Sequence, residues 1–144
     1  LSGTNISDAG LKRIEPLTGL RILNLKDTKI TDEGMARLDQ LVNMVCLNLG
    51  HTLVTDTGIK RIEQMGQLQK LDLGFTQITD ACIARIDNLQ YLKYLDLSGT
   101  KITDESIIRL KKMHGLLNLV LTGTKMTPNG MSELMASFHG EIIK

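Results

Sequence analysis

The chain has 144 residues, the size of one ordinary domain, and its 42% hydrophobic content is enough to build a continuous core. Lys and Arg number 17 against 16 Asp and Glu, so the net charge of +1 gathers neither phosphate backbones nor anionic lipid, and no nucleic-acid or membrane partner is expected. No stretch approaches the roughly 20 apolar residues of a membrane span and no basic, apolar leader opens the chain, which reads as cytosolic or as relieved of its address.

Taken in chain order, the elements repeat. Residues 1–22 form a partial repeat in which Leu1 is the second half of a Leu-x-Leu pair, followed by Thr4 and Ile6. Ser7-Asp8 then starts a helix with Leu11, Ile14 and Leu17 on its apolar side. Full repeats occupy 23–46, 47–70, 71–94 and 95–118, and their Leu-x-Leu pairs at Leu23/Leu25, Leu47/Leu49, Leu71/Leu73 and Leu95/Leu97 stand 24 residues apart. Three residues beyond each pair stands a threonine, Thr28, Thr52, Thr76 and Thr100, and two further an aliphatic residue, Ile30, Val54, Ile78 and Ile102. The Thr31-Asp32, Thr55-Asp56, Thr79-Asp80 and Thr103-Asp104 pairs put a hydroxyl N-cap and a first-turn carboxylate where free amides and the helix dipole favour them. Inside each helix the apolar residues recur every third position, as in Met35, Leu38 and Leu41, which makes one inward stripe.

The repeat at 119–144 opens with Leu119/Leu121 and keeps Thr124, but Pro128 replaces the helix-start aspartate and Ser137 and Gly140 replace ladder residues before Ile142-Ile143. It reads as a closing cap. The first repeat carries no such modification, so a longer protein is expected, with this chain as its C-terminal piece.

One unit supplies about seven buried side chains of roughly 1.5–3 kcal/mol each, while ordering its backbone costs about 1–2 kcal/mol per residue. A lone unit cannot fold, and stacking in register closes the leucines into a shared core. Strands about 4.8 Å apart must then diverge toward helices about 10 Å across, which bends the stack with its sheet on the concave side.

The run Leu-x-Leu-x-x-Thr-x-Ile-Thr-Asp-x-Gly-Met, from Leu23 to Met35, resembles the leucine-rich repeat superfamily over essentially the whole chain. Within it the chain is most similar to bacterial 24-residue repeats with an Ile-Thr-Asp-x-Gly-Leu turn, and next to the cysteine-containing repeats of F-box proteins. Threonine stands where those have asparagine or cysteine, which sets a ubiquitin-ligase-like substrate receptor behind other readings. The resemblance implies an α/β fold, a right-handed solenoid in a horseshoe arc, with a parallel β-sheet on the concave side and helices on the convex side. It implies a single domain over 1–144, a monomer, and binding of a protein or peptide.

Candidate chemistry is sparse. The threonine column has no recurring base beside it, so its hydroxyls are expected to satisfy backbone groups of the neighbouring coil. Gly10, Gly34, Gly58 and Gly130 lie in no phosphate-binding pattern and are expected to relieve crowding between coils; Cys82 and Ser106 share their column. His51, His114, His139, Cys46 and Cys82 fall in different registers, so neither a metal site nor a disulfide is expected. No cofactor motif and no catalytic constellation is found; an Asp72–Asp96 acid-base pair is the enzymatic alternative. Six of the seven methionines replace ladder residues, leaving Met135 outside.

On the helices each acid is expected to face the arginine 22 residues onward, Glu15 with Arg37, Asp39 with Arg61, Glu63 with Arg85 and Asp87 with Arg109. In the next pair, Lys111 with Glu133, both signs reverse together, as adjacent charges require.

Residues alternating with the inward leucines form columns on the concave sheet, Ile22, Cys46, Lys70, Tyr94 and Asn118, then Asn24, Asn48, Asp72, Asp96 and Val120. With aromatic residues at only 3%, Phe75 and Tyr94 in this neighbourhood mark it for recognition. The candidate partner-binding residues are Asn48, Lys70, Asp72, Phe75, Tyr94 and Asp96. The expected function is a non-enzymatic interaction scaffold, and the alternative is an adaptor or spacer whose catalytic part lies N-terminal to Leu1.

Overall fold

A computed structural model describes all 144 residues. Six three-residue strands, β1 (Ile22–Asn24), β2 (Cys46–Asn48), β3 (Lys70–Asp72), β4 (Tyr94–Asp96), β5 (Asn118–Val120) and β6 (Glu141–Ile143), form one open sheet in chain order. Every neighbouring pair is parallel. The period of the sequence becomes the register of the sheet: Leu23, Leu47, Leu71, Leu95 and Leu119 pair in succession. A short helix, α1 (Asp8–Leu11), precedes β1, and each of β1 to β5 feeds the next one, α2 (Asp32–Met35), α3 (Asp56–Ile59), α4 (Asp80–Ile86), α5 (Ile107–Leu110) or α6 (Pro128–Met135), several extended or preceded by a 3-10 turn. No helix is long and apolar enough to cross a membrane. Between sheet and helices the inward leucines, isoleucines and methionines make one uninterrupted apolar core from Leu11 to Leu134.

The two ends depart from the expected pattern. Leu1 belongs to no strand and is 53% exposed. At the other end the expected cap contributes a strand of its own, with Leu119 facing Ile142, one residue earlier than the period would place the ladder. Gly140 permits the shortcut, because a Cβ there would stand 2.5 Å from the Leu117 carbonyl oxygen and 2.8 Å from that of Leu116.

The threonine column is buried as expected from Thr28 to Thr100, but its hydroxyls stay within their own coil. Thr28, Thr52, Thr76 and Thr100 donate to the carbonyls of Leu25, Leu49, Leu73 and Leu97 at 2.5–2.6 Å, closing the turn after each strand rather than linking coils.

Coils are linked instead by the helix-start pairs. The Thr31, Thr55, Thr79 and Thr103 hydroxyls accept from the amide two residues on, the N-cap bond anticipated from sequence, while Ser7 makes none. The same hydroxyls also donate to the aspartate of the preceding coil, whose second oxygen takes the threonine amide. Thus Asp8 holds Thr31, Asp32 holds Thr55, Asp56 holds Thr79, Asp80 holds Thr103 and Asp104 holds Thr127, with every distance between 2.6 and 2.9 Å. A Cβ at Gly34, Gly58 or Gly130 would run into the carboxylate of Asp8, Asp32 or Asp104, so these glycines vacate the space that the interlock fills. Ser106, in the same column, turns its hydroxyl onto Asp80. In α6 the aspartate's place is taken by Pro128, in the first turn of the helix, where its missing N–H leaves no helical bond unmade.

All five helix-face ion pairs form as expected: Arg37–Glu15 at 3.2 Å, Arg61–Asp39 at 3.1 Å, Arg85–Glu63 at 2.9 Å, Arg109–Asp87 at 2.7 Å and Lys111–Glu133 at 2.8 Å.

Candidate functional site

The outward columns of the sheet assemble in register. Cys46, Lys70 and Tyr94 are successive pairing partners, as are Asn48, Asp72 and Asp96, so five of the six candidate residues occupy one patch across β2, β3 and β4. A hollow of about 300 Å³ lies over its N-terminal half, lined by Ile22, Cys46, Asn48, Lys70, Asp72 and Tyr94 among others. Asp96 and Phe75 stand outside its wall.

The second column is partly spent on the fold. Asn24, Asn48, Asp72 and Asp96 each accept the backbone amide two residues onward through Oδ1, from Lys26, Gly50, Gly74 and Ser98 at 2.8–3.0 Å. These are Asx turns that steer the chain off each strand. They crowd the glycines beneath them, since a Cβ on Gly50 would stand 3.0 Å from Asp72 Oδ1 and one on Gly74 would stand 3.2 Å from Asp96 Oδ1.

Asp72 and Asp96 face each other across β3 and β4, and no lysine, arginine or histidine is paired with either. Burial holds the Asp72 carboxyl above the usual range, and the Asp96 charge adds to it, against the lowering bond from the Gly74 amide. Burial also pushes up the Tyr94 phenol, helped by the charges of Asp96 and Asp72. Its hydroxyl lies 3.5 Å from Asp96 Oδ2. Lys70 joins no ion pair, so it does not neutralise the two acids by contact.

Phe75 sits one turn beyond β3, 54% exposed, in left-handed backbone with φ +57°. It belongs to a column that sequence reasoning passed over: Gly3, Asp27, His51, Phe75, Gly99 and Gly123 all have φ between +55° and +70°. A left-handed phenylalanine is costly, and two neighbours hold it in place. Its ring stacks on His51 with centroids 4.4 Å apart and planes 15° off parallel, and it covers Gly99, where a Cβ would come within 2.5 Å of Phe75 Cδ1. The signal for this row was the 24-residue spacing itself, hidden because only half its members are glycine.

Elsewhere His114 and His139 meet edge to face at the C-terminal end, 6.2 Å between centroids. Cys46 lies on the sheet and Cys82 is buried, both as free thiols. Burial, with the Asp56 charge added, pushes the Cys82 thiol up. Nowhere do three or more His, Cys, Asp or Glu side chains converge as metal ligands would.

A family profile described as "Leucine Rich repeat" matches residues 18–38 and 88–111. Among solved structures the chain is similar to an internalin (inlF) from Listeria monocytogenes, with a TM-score of 0.79 at 24% identity over 92% of this chain and 37% of that one. It is similar also to internalin C2 of the same organism, with a TM-score of 0.70 at 25% identity over 91% of this chain and 55% of that one. The chain therefore spans less than two thirds of the length of either. No curated protein matches its sequence significantly.

Proposed function

From its membership of the leucine-rich repeat superfamily, with bacterial-type repeats, we propose that this chain is a single interaction module over residues 1–144 that captures a protein or peptide on its sheet face. Asn48, Lys70, Asp72, Phe75, Tyr94 and Asp96 are the residues assigned to the contact.

The observation that carries the reading is the contrast between the two sides of the strands. Inward positions repeat leucine from β1 to β5, whereas the first outward column runs Ile22, Cys46, Lys70, Tyr94 and Asn118 and changes chemistry in every coil, with Phe75 beside it. The His51 stack holds the exposed Phe75 ring, and Tyr94 lies half-buried on β4, so docking orders little that is not already ordered. Aromatic side chains so presented anchor interfaces. The reading requires no catalytic group.

The test is comparative affinity capture with three baits: the parent chain, a Tyr94→Ala/Asp96→Asn variant that keeps the turn after β4, and an Arg61→Ala variant altered only on the helix face. Partners retained by the parent and the helix-face variant but lost with the sheet-face variant, at unchanged circular dichroism, are expected. Equal capture by all three baits discards the assignment of these residues.

A further inference from the structure

We propose that the hollow over β1–β4 receives an arginine side chain of the partner protein, with its guanidinium set against Asp72 and Asp96; this rests on the sheet-face reading above and names its chemistry.

The walls of the hollow suit the stem of such a side chain. Ile22, 69% exposed, the half-buried Cys46 and the ring of Tyr94 give apolar flanks, and Asn48 and Asp72 supply polar groups. A long aliphatic chain laid there keeps its charged head at the polar end, as amphipathic side chains do.

The charge balance selects the sign. On the helix face every acid of the ladder is matched by a base within 3.2 Å, yet the two acids that oppose each other on the sheet have no basic side chain within 4.0 Å. Each already gives Oδ1 to its own turn, which fixes the carboxylate in place, and leaves Oδ2 without a backbone donor. Side chains add little there: the Tyr94 hydroxyl lies 3.5 Å from Asp96 Oδ2, and Asn48 is the side chain that bonds to Asp72. Burial and the Asp96 charge leave the Asp72 carboxyl raised even though the Gly74 amide, the Lys26 charge and the Asn48 side chain act to lower it, and an incoming cation relieves what remains.

Geometry favours arginine over lysine. Paired strands lie about 4.8 Å apart, and a planar guanidinium with five donors spans two carboxylates at that separation while its face rests on an aromatic ring. An ammonium is a compact point charge that serves one of them. Lys70, on the strand between Cys46 and Tyr94, also lines the hollow, and its exposed side chain keeps the arriving guanidinium at the Asp72 end.

The experiment is an amide-resolved NMR titration of the intact chain with four capped pentapeptides that differ only at the central residue: arginine, lysine, citrulline or glutamate. The arginine peptide is expected to move the amides of Asp72, Gly74, Tyr94, Asp96 and Ser98 at the lowest concentration, with lysine weaker and citrulline and glutamate inert there. Asp72→Asn/Asp96→Asn is expected to weaken the arginine peptide by about tenfold or more, the loss typical of one bond to a charged group. This variant keeps the turns, because asparagine makes the same bond at positions 24 and 48. Citrulline equal to arginine, no response to any peptide, or an arginine response untouched by the double asparagine variant overturns the proposal. If that happens while Tyr94→Ala/Asp96→Asn still loses captured partners, the surface stands and only the cation falls; if both fail, the surface falls with it.

Discussion

The Asp56–Thr79 interlock offers the sharpest test of what holds the coils together. Asp56→Ala removes two bonds to a charged acceptor, from the Thr79 amide at 2.9 Å and the Thr79 hydroxyl at 2.7 Å. Each such bond contributes about 1.5–3 kcal/mol, and at a half-buried site, where water replaces part of the loss, the lower figure applies to each. The expected loss is therefore about 3 kcal/mol, which lowers Tm by about 6–12 °C for a domain of this size. Asp56→Asn keeps one acceptor oxygen for the amide and gives up the charge, so about half the loss is expected. Arg61→Ala, which breaks an ion pair whose partners are 44% and 40% exposed, is the reference and costs at most about 1 kcal/mol. Equilibrium urea unfolding followed by circular dichroism measures all three. Because neighbouring coils are coupled chiefly through their interfaces, the alanine variant is also expected to lower the m-value as the transition begins to split. An Asp56→Ala loss within about 0.5 kcal/mol of Arg61→Ala refutes the interlock as the principal polar link.

Asp72→Asn is expected to stabilise the protein at neutral pH by up to about 1 kcal/mol, or about 2–4 °C in Tm, by removing one of two like charges on adjacent strands while keeping the turn. The folded carboxyl lies above its unfolded value, so the ionised form costs stability; the advantage of asparagine shrinks as pH falls through that raised value and is gone below the ordinary aspartate range. An advantage that grows on acidification contradicts this. Titration of the native protein with a thiol reagent is expected to modify Cys46 alone, because Cys82 is buried and its thiolate disfavoured; rapid reaction of both thiols argues against the packing described. Gly99→Ala places a Cβ at φ +62° against the Phe75 ring and is expected to cost about 1–2 kcal/mol. Gly19→Ala, whose Cβ meets nothing within 4 Å, is expected to be nearly neutral, and equal melting of the two variants rejects the reasoning.

Strand order, register and core were legible because one residue type, leucine, recurs at one interval and has one reason to face inward. The ion pairs were legible for a different reason: at Lys111 and Glu133 both charges reverse together, which a solvated pattern does not require and a contact does. The aspartates of the interlock were read only as helix-start charges, since a local role accounted for them fully and nothing in a single coil points to a partner 23 residues away. The strand β6 escaped because its ladder residue is displaced by one, an offset that Gly140 makes possible and that a strict period hides.

The sheet face was legible as a surface but not as a division of labour. Asp72 and Asp96 looked like free carboxylates, yet one oxygen of each is tied to its own turn, so an alanine at either position alters the backbone and the contact together. Asn24 and Asn48 show how to separate the two effects, because they keep the turn without the charge in the coils just before. An asparagine substitution that weakens binding while leaving stability equal or higher assigns the outer oxygen to recognition. An alanine that lowers both assigns nothing. The same logic applies to Phe75, whose left-handed backbone is tolerated through His51 and Gly99 rather than through the core. A residue held at a cost, on the surface, by neighbours that do not need it for their own burial, is better accounted for by what it presents to solvent than by what it packs against.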